Sequence, residues 1–487
     1  MPPWLVWGLE QTTGARGRQV GVAHLPVVVA ALVALVLAVA FVAVIYRRPQ
    51  RGLLVLAALT PLDGLLDIAP LPGVASAWKE GVLALTLICA ANRRVRPADR
   101  TDPPLQLPWW PAAAVLVAFG VVSALYVYGP IGLYGVKVTF FYLFVVLALW
   151  LTPFDTLDRD RLVSIIMALG VLTTLVGIGQ QLLGPARLVE LGYTFGEQVR
   201  TSGPLFRTFS TFNQPFGFGL FVTLALLVGG AVALSDTARR RNRLFLVCWP
   251  VMAITMATSV VRAAILGLIV GVIWLAALRF RRLITPLLAV GVVAVISLPF
   301  LPSNVTKVFF SSSSLSQRGS GWGEIFASIW VHPLGTGLAS SGSAADAMSA
   351  AQGDTTRTIT AGAGGTVQQL SKNYQPDNYY VKLLIELGPI GLWLFLALIV
   401  TAIIWCVQYS RRMPDPDGAL VLGVSASMVA AMVACLVATY FEIFPLDFYF
   451  WLLLGAAGCA TAQHESRTVR LHFVPEAAAS RPTSANS

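Results

Sequence analysis

Residues 25–51 read LPVVVAALVALVLAVAFVAVIYRRPQR, an apolar run that ends in a cluster of arginines. A helix needs about 20 mostly apolar residues to cross a bilayer, and arginines beside such a run mark the cytoplasmic side. The pattern recurs along the 487-residue chain, which is 56% hydrophobic and only 12% charged, with a mean hydropathy of +0.74. The sequence therefore predicts an all-α, polytopic integral membrane helical bundle rather than a soluble domain.

The length rule gives about 12–13 spans, because short runs rich in Gly or Pro could be broken or re-entrant helices. The predicted spans lie near 25–45, 52–69, 74–91, 109–128, 131–151, 162–183, 209–234, 244–258, 260–278, 283–301, 379–408, 418–440 and 443–462. Arginine clusters follow alternate spans, so the positive-inside rule places those loops and the C-terminus in the cytoplasm. Counting back predicts an external N-terminus.

The predicted organisation has four parts. They are an N-terminal transmembrane bundle (1–301), an extracytoplasmic loop (302–378), C-terminal transmembrane helices (379–462) and a cytoplasmic tail (463–487). In the large outer-face loop, the spacing of aromatic and aliphatic residues predicts an amphipathic helix over 318–335. The small polar residues of 339–365 predict a mobile flap, and those from about Glu476 a disordered end.

Charge and cysteine content narrow the function classes. The net charge of +11 is first a topology signal, so no nucleic-acid partner is implied. The five cysteines lie in apolar runs without metal-ligand spacing, so we predict neither disulfides nor a metal site.

Ionisable residues at membrane depth are costly, so those on the predicted outer side need an explanation. They are Lys79, Glu80, Lys137, Arg207, Arg262, Arg318, Asp377, Lys382 and Glu386. Arg262 lies between two short apolar runs, where a guanidinium needs an anionic partner. Several arginines that face one cavity would bind phosphate or diphosphate, although a carboxylate or a sulfate would also fit.

Three stretches carry a family resemblance. They are RTFSTFNQPFG (207–217), TSVVRAA (258–264), and a third that runs from Arg318 and Trp322 through HPLGTG (332–337) to DNYYVKLLIELGPIG (377–391). In this order, with a long outer loop within the third, they resemble the membrane family of O-antigen ligases and O-antigen-type polysaccharide polymerases. The resemblance covers about 200–395. Phe216 stands where the family has Asn, and Arg262 is one residue further from Ser259 than in the family pattern.

The resemblance implies a glycosyltransferase of the bacterial cytoplasmic (inner) membrane with an outward-facing active site. Glycan carried on undecaprenyl diphosphate is transferred to a sugar hydroxyl, without metal or cofactor. The implied partners are the polyprenyl-diphosphate-linked glycan, a glycan acceptor, the lipid bilayer and other polysaccharide assembly proteins. Asp377 stands where the ligase branch has His, so we favour a polymerase over ligase-like transfer.

The resemblance also implies roles for individual residues. The expected diphosphate-binding residues are Arg207, Arg262 and Arg318; the catalytic candidates are Asp377, Glu386 and His332; further candidates are Lys79, Lys137 and Asn378. His332 could instead be a loop residue before Pro333. Glu386 could instead brace its helix near the N-terminus.

Two other functions remain open from the sequence. A secondary transporter or lipid-linked sugar flippase would also have broken helices and buried charges, but we see no internal repeat between the halves. A metal-dependent glycosyltransferase could use Asp63 and Asp67, although a capping or turn role suits these residues better.

Overall fold

The computed structural model describes residues 25–68, 77–95, 105, 107–203, 205–300, 306, 331–351, 358–361, 367–370 and 376–473. In these ranges the helices are α1 (Leu25–Arg47), α2 (Gln50–Leu59), α3 (Trp78–Val95), α4 (Trp110–Tyr128), α5 (Gly132–Phe140), α6 (Leu143–Leu151), α7 (Thr156–Glu190), α8 (Pro215–Ser235), α9 (Arg240–Ala257), α10 (Arg262–Leu278), α11 (Ile284–Ser297), α12 (Gly342–Ala351), α13 (Tyr379–Arg412), α14 (Asp417–Ala434) and α15 (Leu446–Phe473). Short 3₁₀ helices cover Thr60–Ile68, Gly129–Ile131, Arg281–Leu283, Leu298–Phe300 and Tyr440–Glu442.

Strands occur only as two short antiparallel hairpins in the described part of the chain. They are β1 (Arg200–Ser202) with β2 (Leu205–Arg207), and β3 (Thr358–Ala361) with β4 (Val367–Leu370).

The predicted all-α, polytopic membrane fold is confirmed. Five described helical segments are long and apolar enough to cross a membrane: Trp110–Phe140, Thr156–Glu190, Pro215–Ser235, Tyr379–Arg412 and Asp417–Ala434. Other predicted spans are interrupted. The span 52–69 changes from α-helix to 3₁₀ helix at Thr60, next to Pro61, which has no N–H for the helical ladder. The span 131–151 is divided between α5 and α6 at Phe141 and Tyr142.

Helix α8 forms the centre of the bundle and packs against α7, α9, α10 and α14. Nearly all of its residues are buried, because it is apolar on every side. Glycines allow the close approach of its neighbours. A Cβ at Gly219 would lie 2.8 Å from Ser259 Oγ, and one at Gly229 would lie 2.9 Å from the Phe245 ring.

A buried arginine joins three helices at the end of the bundle where α7 begins. Arg159 is only 1% exposed, and it binds both carboxylate oxygens of Asp417, on α14, at 3.0 and 2.7 Å. It also donates to the carbonyl oxygen of Phe154 and to Gln463 Oε1 on α15, both at 3.0 Å. Arg159 therefore has a structural function as well as the topological one expected from its cluster.

The loop between α11 and α13 differs from the sequence expectation. Residues 342–351, predicted to lie in a flap, form α12, which packs on α5 and buries Ala344 and Met348. Two apolar side chains four residues apart give this segment a helical face to bury. Most of the predicted amphipathic helix and the C-terminal stretch from Glu476 lie outside the described residues.

Candidate active site

The first motif begins in a β-hairpin and continues as an ordered loop. Arg207 ends β2, and its Nε donates to the carbonyl oxygen of Ser259 at 3.1 Å. Its guanidinium also lies 5.3 Å from the centre of the Phe216 ring. Burial, with a smaller contribution from the charge of Arg200, lowers the pKa of Arg207 to about 10, so the side chain stays charged at neutral pH.

Gln180, on α7, fixes the loop that follows Arg207. Its Oε1 accepts from the backbone N–H groups of Phe209 and Ser210, and its Nε2 donates to the carbonyl oxygen of Ser210 at 2.7 Å. Ser210 has a left-handed backbone (φ 56°), and its hydroxyl donates to the carbonyl oxygen of Thr173. These bonds hold a conformation that non-glycine residues rarely adopt.

The second motif lies directly against the first. The backbone N–H of Thr208 donates to the carbonyl oxygen of Thr258 at 3.2 Å, and the two threonine hydroxyls are 2.6 Å apart. Arg262 is half-buried at the first turn of α10, where the helix dipole adds to its positive charge. Val260, just before it, also has a left-handed backbone (φ 56°), which is costly for a β-branched residue. The two motifs thus form one electropositive, strained corner.

In the third motif, the loop at residues 333–337 docks on α13. The N–H groups of Thr336 and Gly337 donate to the carbonyl oxygens of Ile385 and Glu386, at 2.8 and 3.1 Å. A Cβ at Gly335 (φ 84°) would lie 2.2 Å from the Glu386 oxygen, and one at Gly388 (φ 64°) would lie 2.3 Å from the Pro333 oxygen. Both glycines are therefore required by close contact as well as by φ. The expected kink at Gly388 and Pro389 is present.

Glu386 lies in a buried charged cluster. It is 1% exposed, binds the ammonium group of Lys382, and accepts from the N–H and hydroxyl of Ser341 at 3.1 and 3.0 Å. Lys382 is also 3.1 Å from Glu442, in the 3₁₀ helix before α15. Burial is the main cause that raises the pKa of Glu442; Lys382 opposes it and Glu386 adds to it. Since Lys382 and Ser341 both bind Glu386, the geometry suits a bracing role better than a free catalytic base.

The other two catalytic candidates are exposed. Asp377 immediately precedes the N-cap of α13, and His332 precedes Pro333 in the docked loop. Asn378 is that N-cap: its Oδ1 accepts from the N–H groups of Tyr380 and Val381 at 2.9 and 3.2 Å. Asn378 therefore fixes the backbone on which Asp377 is carried.

The two lysines named as further candidates are ion-paired. Lys79 lies 3.1 Å from Asp63, whose other oxygen accepts from Trp78 Nε1 at 2.8 Å. Lys137 lies 2.9 Å from Glu80 and lines an apolar cavity of about 760 Å³ between α4, α5 and α6, which no motif residue lines. Asp63 thus anchors the start of α3 through the side chains of Trp78 and Lys79. Among the described residues, no group of three His, Cys, Asp or Glu side chains is arranged to hold a metal.

Arg318 lies outside the described residues, so its position relative to Arg207 and Arg262 stays a prediction. Sequence reasoning also missed two charged residues beside the motifs: Arg200, which pairs with Arg207 across the hairpin, and Glu442. Glu442 could have been found, because it is an ionisable residue between two apolar runs. Arg200 gave no comparable signal, since the neighbouring residues in the sequence do not show that it pairs with Arg207 in a hairpin.

The comparisons agree with the resemblance seen in the motifs. Residues 245–396 match the sequence model of a family described as O-antigen ligase. No curated protein matches the chain. The match includes the second motif and both halves of the third, while the first motif, which is hydrogen-bonded to the second, precedes it. The protein is therefore a polytopic membrane protein in which residues 245–396 are similar to the O-antigen ligase family.

Proposed function

We propose that the protein polymerises or transfers glycan from a polyprenyl diphosphate donor to a sugar hydroxyl at the outer face of the cytoplasmic membrane, with polymerisation favoured. The family match supports a glycan-transfer role in a membrane. The observation that carries the finer proposal is the contact between the first two motifs. It brings Arg207, whose guanidinium is oriented by the carbonyl oxygen of Ser259, to the segment that leads into Arg262, and two arginines near each other suit an anionic diphosphate.

The chemistry needs little beyond charge and alignment. The acceptor oxygen bonds to the anomeric carbon as the bond from that carbon to the diphosphate oxygen breaks. The diphosphate leaves as an anion stabilised by arginines. The acceptor hydroxyl loses its proton to a base, for which Asp377 is our first candidate, since it is an exposed carboxylate held at the start of α13 by the Asn378 cap. Glu386 would keep the docked loop in place.

The central experiment supplies purified protein with an undecaprenyl-diphosphate-linked oligosaccharide in EDTA. A ladder of longer products would support a metal-independent polymerase, whereas a single transfer to an added acceptor would favour ligase-like activity. Activity that needs a divalent cation would contradict the proposed metal independence. Transport of the lipid-linked sugar across vesicles without release of diphosphate would contradict the proposed reaction.

Substitutions test the base. We expect Asp377→Asn to abolish transfer while donor binding survives, and His332→Ala to be milder. Glu190→Gln is the matched control, because Glu190 is an exposed carboxylate, paired with Arg187, at the end of α7. Near-parental turnover of Asp377→Asn would remove Asp377 from the mechanism.

Variants with a single introduced cysteine test on which side of the membrane the proposed site lies. A cysteine at exposed Thr201, in the hairpin, should react with a membrane-impermeant thiol reagent added outside intact cells. A cysteine at exposed Ala238, between α8 and α9, should react only after the cells are permeabilised. The reverse pattern would contradict an outward-facing site.

A further inference from the structure

The first hairpin places two arginines directly opposite each other. Arg200 on β1 and Arg207 on β2 are partners in the strand register, followed by the pairs Thr201–Phe206 and Ser202–Leu205. Residues opposite one another in an antiparallel pair project from the same face, and like charges in this position repel. Both arginines are half-buried, so water screens the repulsion incompletely.

Nothing in the described part of the chain neutralises this pair by direct contact. Arg200 Nε donates to the carbonyl oxygen of Glu197 at 2.7 Å, and Arg207 Nε to that of Ser259 at 3.1 Å. Neither guanidinium forms an ion pair with a described carboxylate, although the charge of Glu197 attracts Arg200 from a greater distance. Each side chain thus uses its Nε to fix its direction and keeps its terminal nitrogens for another acceptor.

Burial also lowers the pKa of Arg200, as it does that of Arg207, so the attraction of Glu197 compensates the charge of Arg200 only in part. An anion with two phosphoryl groups would compensate both charges. A planar guanidinium can bind phosphoryl oxygens through two N–H groups.

We propose that Arg200 and Arg207 form a two-arginine clamp in which Arg200 binds the second phosphoryl group of the lipid donor, so that the site prefers a diphosphate over a monophosphate. This inference rests on the proposed function, since it assigns a new residue to the same site. Arg200 would then be a determinant of specificity rather than a catalytic residue.

The test measures binding of undecaprenyl diphosphate and undecaprenyl monophosphate to the full-length protein in lipid nanodiscs. Arg200→Gln should weaken diphosphate binding about 10- to 100-fold, as expected for the loss of a charge-assisted hydrogen bond, and monophosphate binding by less than about threefold. Arg200→Lys, which keeps the charge without the fork, should lie between the two. Arg187→Gln is the control, because Arg187 is exposed and paired with Glu190.

Thermal unfolding of the ligand-free protein separates the clamp from a purely structural role. Removal of one of two like charges should leave the unfolding temperature of Arg200→Gln at or above that of the parent. A lower temperature, with both lipids weakened equally, would mean that Arg200 only holds the turn at Glu197, and would overturn the clamp. Unchanged diphosphate binding would overturn it as well. Failure of the parent itself to bind undecaprenyl diphosphate would instead overturn the proposed function.

Discussion

The two ends of α7 use arginine in opposite ways. Near its start, Arg159, Arg241 and Arg279 are bonded to the carboxylates of Asp417, Asp160 and Asp415. Beyond its other end, Arg200 and Arg207 bond only backbone carbonyl oxygens among the described residues. An arginine bound to a carboxylate has its charge compensated within the fold, whereas one oriented by a carbonyl keeps its charge available to a ligand. The group that accepts an arginine's hydrogen bonds therefore indicates whether that arginine has a structural or a ligand-binding role.

The largest expected effect lies in the buried pair. Arg159→Met leaves Asp417 without its main partner and removes a bridge between α7, α14 and α15, so we expect a loss of about 3–5 kcal/mol in the free energy of unfolding and little folded protein. Fluorescence-detected size-exclusion chromatography and thermal unfolding in detergent would measure it. Arg240→Ala is the control, since Arg240 is exposed at the start of α9. If Arg159→Met were as stable as the parent, the claim that the arginines near the start of α7 stabilise the fold would fail.

The next effect concerns glycan transfer and the arginines of the first two motifs, beyond the C-terminal end of α7. Arg207→Lys and Arg262→Lys keep the charge but lose the bidentate fork, so glycan transfer should fall about 10- to 100-fold while the unfolding temperature stays close to that of the parent. The measurement is the initial rate of transfer together with thermal unfolding. If the two variants lose folded protein as Arg159→Met does, the arginines of both ends are structural and the distinction fails.

The smallest effect is expected from an accessible ion pair at the first end. Arg279 and Asp415 lie 2.5 Å apart but are each about one-third exposed. Water screens their attraction, so Arg279→Ala should lower the free energy of unfolding by about 1 kcal/mol or less. A double-mutant cycle with Asp415→Ala would measure the coupling. A coupling as large as the effect of Arg159→Met would show that burial does not determine how much each ion pair contributes to the free energy of unfolding.

Much of the fold was predictable because bilayer thickness sets the length of an apolar run. The predicted span 379–408 became α13, which begins after the Asn378 cap and continues to Arg412. The positions at which the helices begin and are interrupted were less predictable. The span 209–234 begins only at Pro215, because residues 208–210 are held instead by Gln180 and Thr258, and Thr211 by the carbonyl oxygen of Pro61. Those hydrogen bonds join distant segments and leave no periodic signal in the sequence.

The candidate site could be predicted only as a set of residue types. The motifs indicated Arg207 and Arg262 as members of one site, and the hydrogen bonds between residues 207–208 and 258–259 agree with that grouping. The same reasoning took Glu386 as a catalytic candidate, since the sequence does not show whether a glutamate near a helix start has hydrogen-bond partners. Its ties to Lys382 and Ser341 depend on the fold of residues 335–343, which composition indicated only as small and polar.

The reciprocal glycine contact has a consequence for motion. Gly335 meets the carbonyl of Glu386 just before the kink of α13, and Gly388 meets the carbonyl of Pro333 at the kink. The loop at 333–337 is also hydrogen-bonded to the first part of α13 through the N–H groups of Thr336 and Gly337, so we expect the two segments to move together. A rotation of α13 at Gly388 would carry His332 and Asp377 in the same direction and preserve the geometry between them. Opening for substrate and closing for transfer could then involve a single hinge.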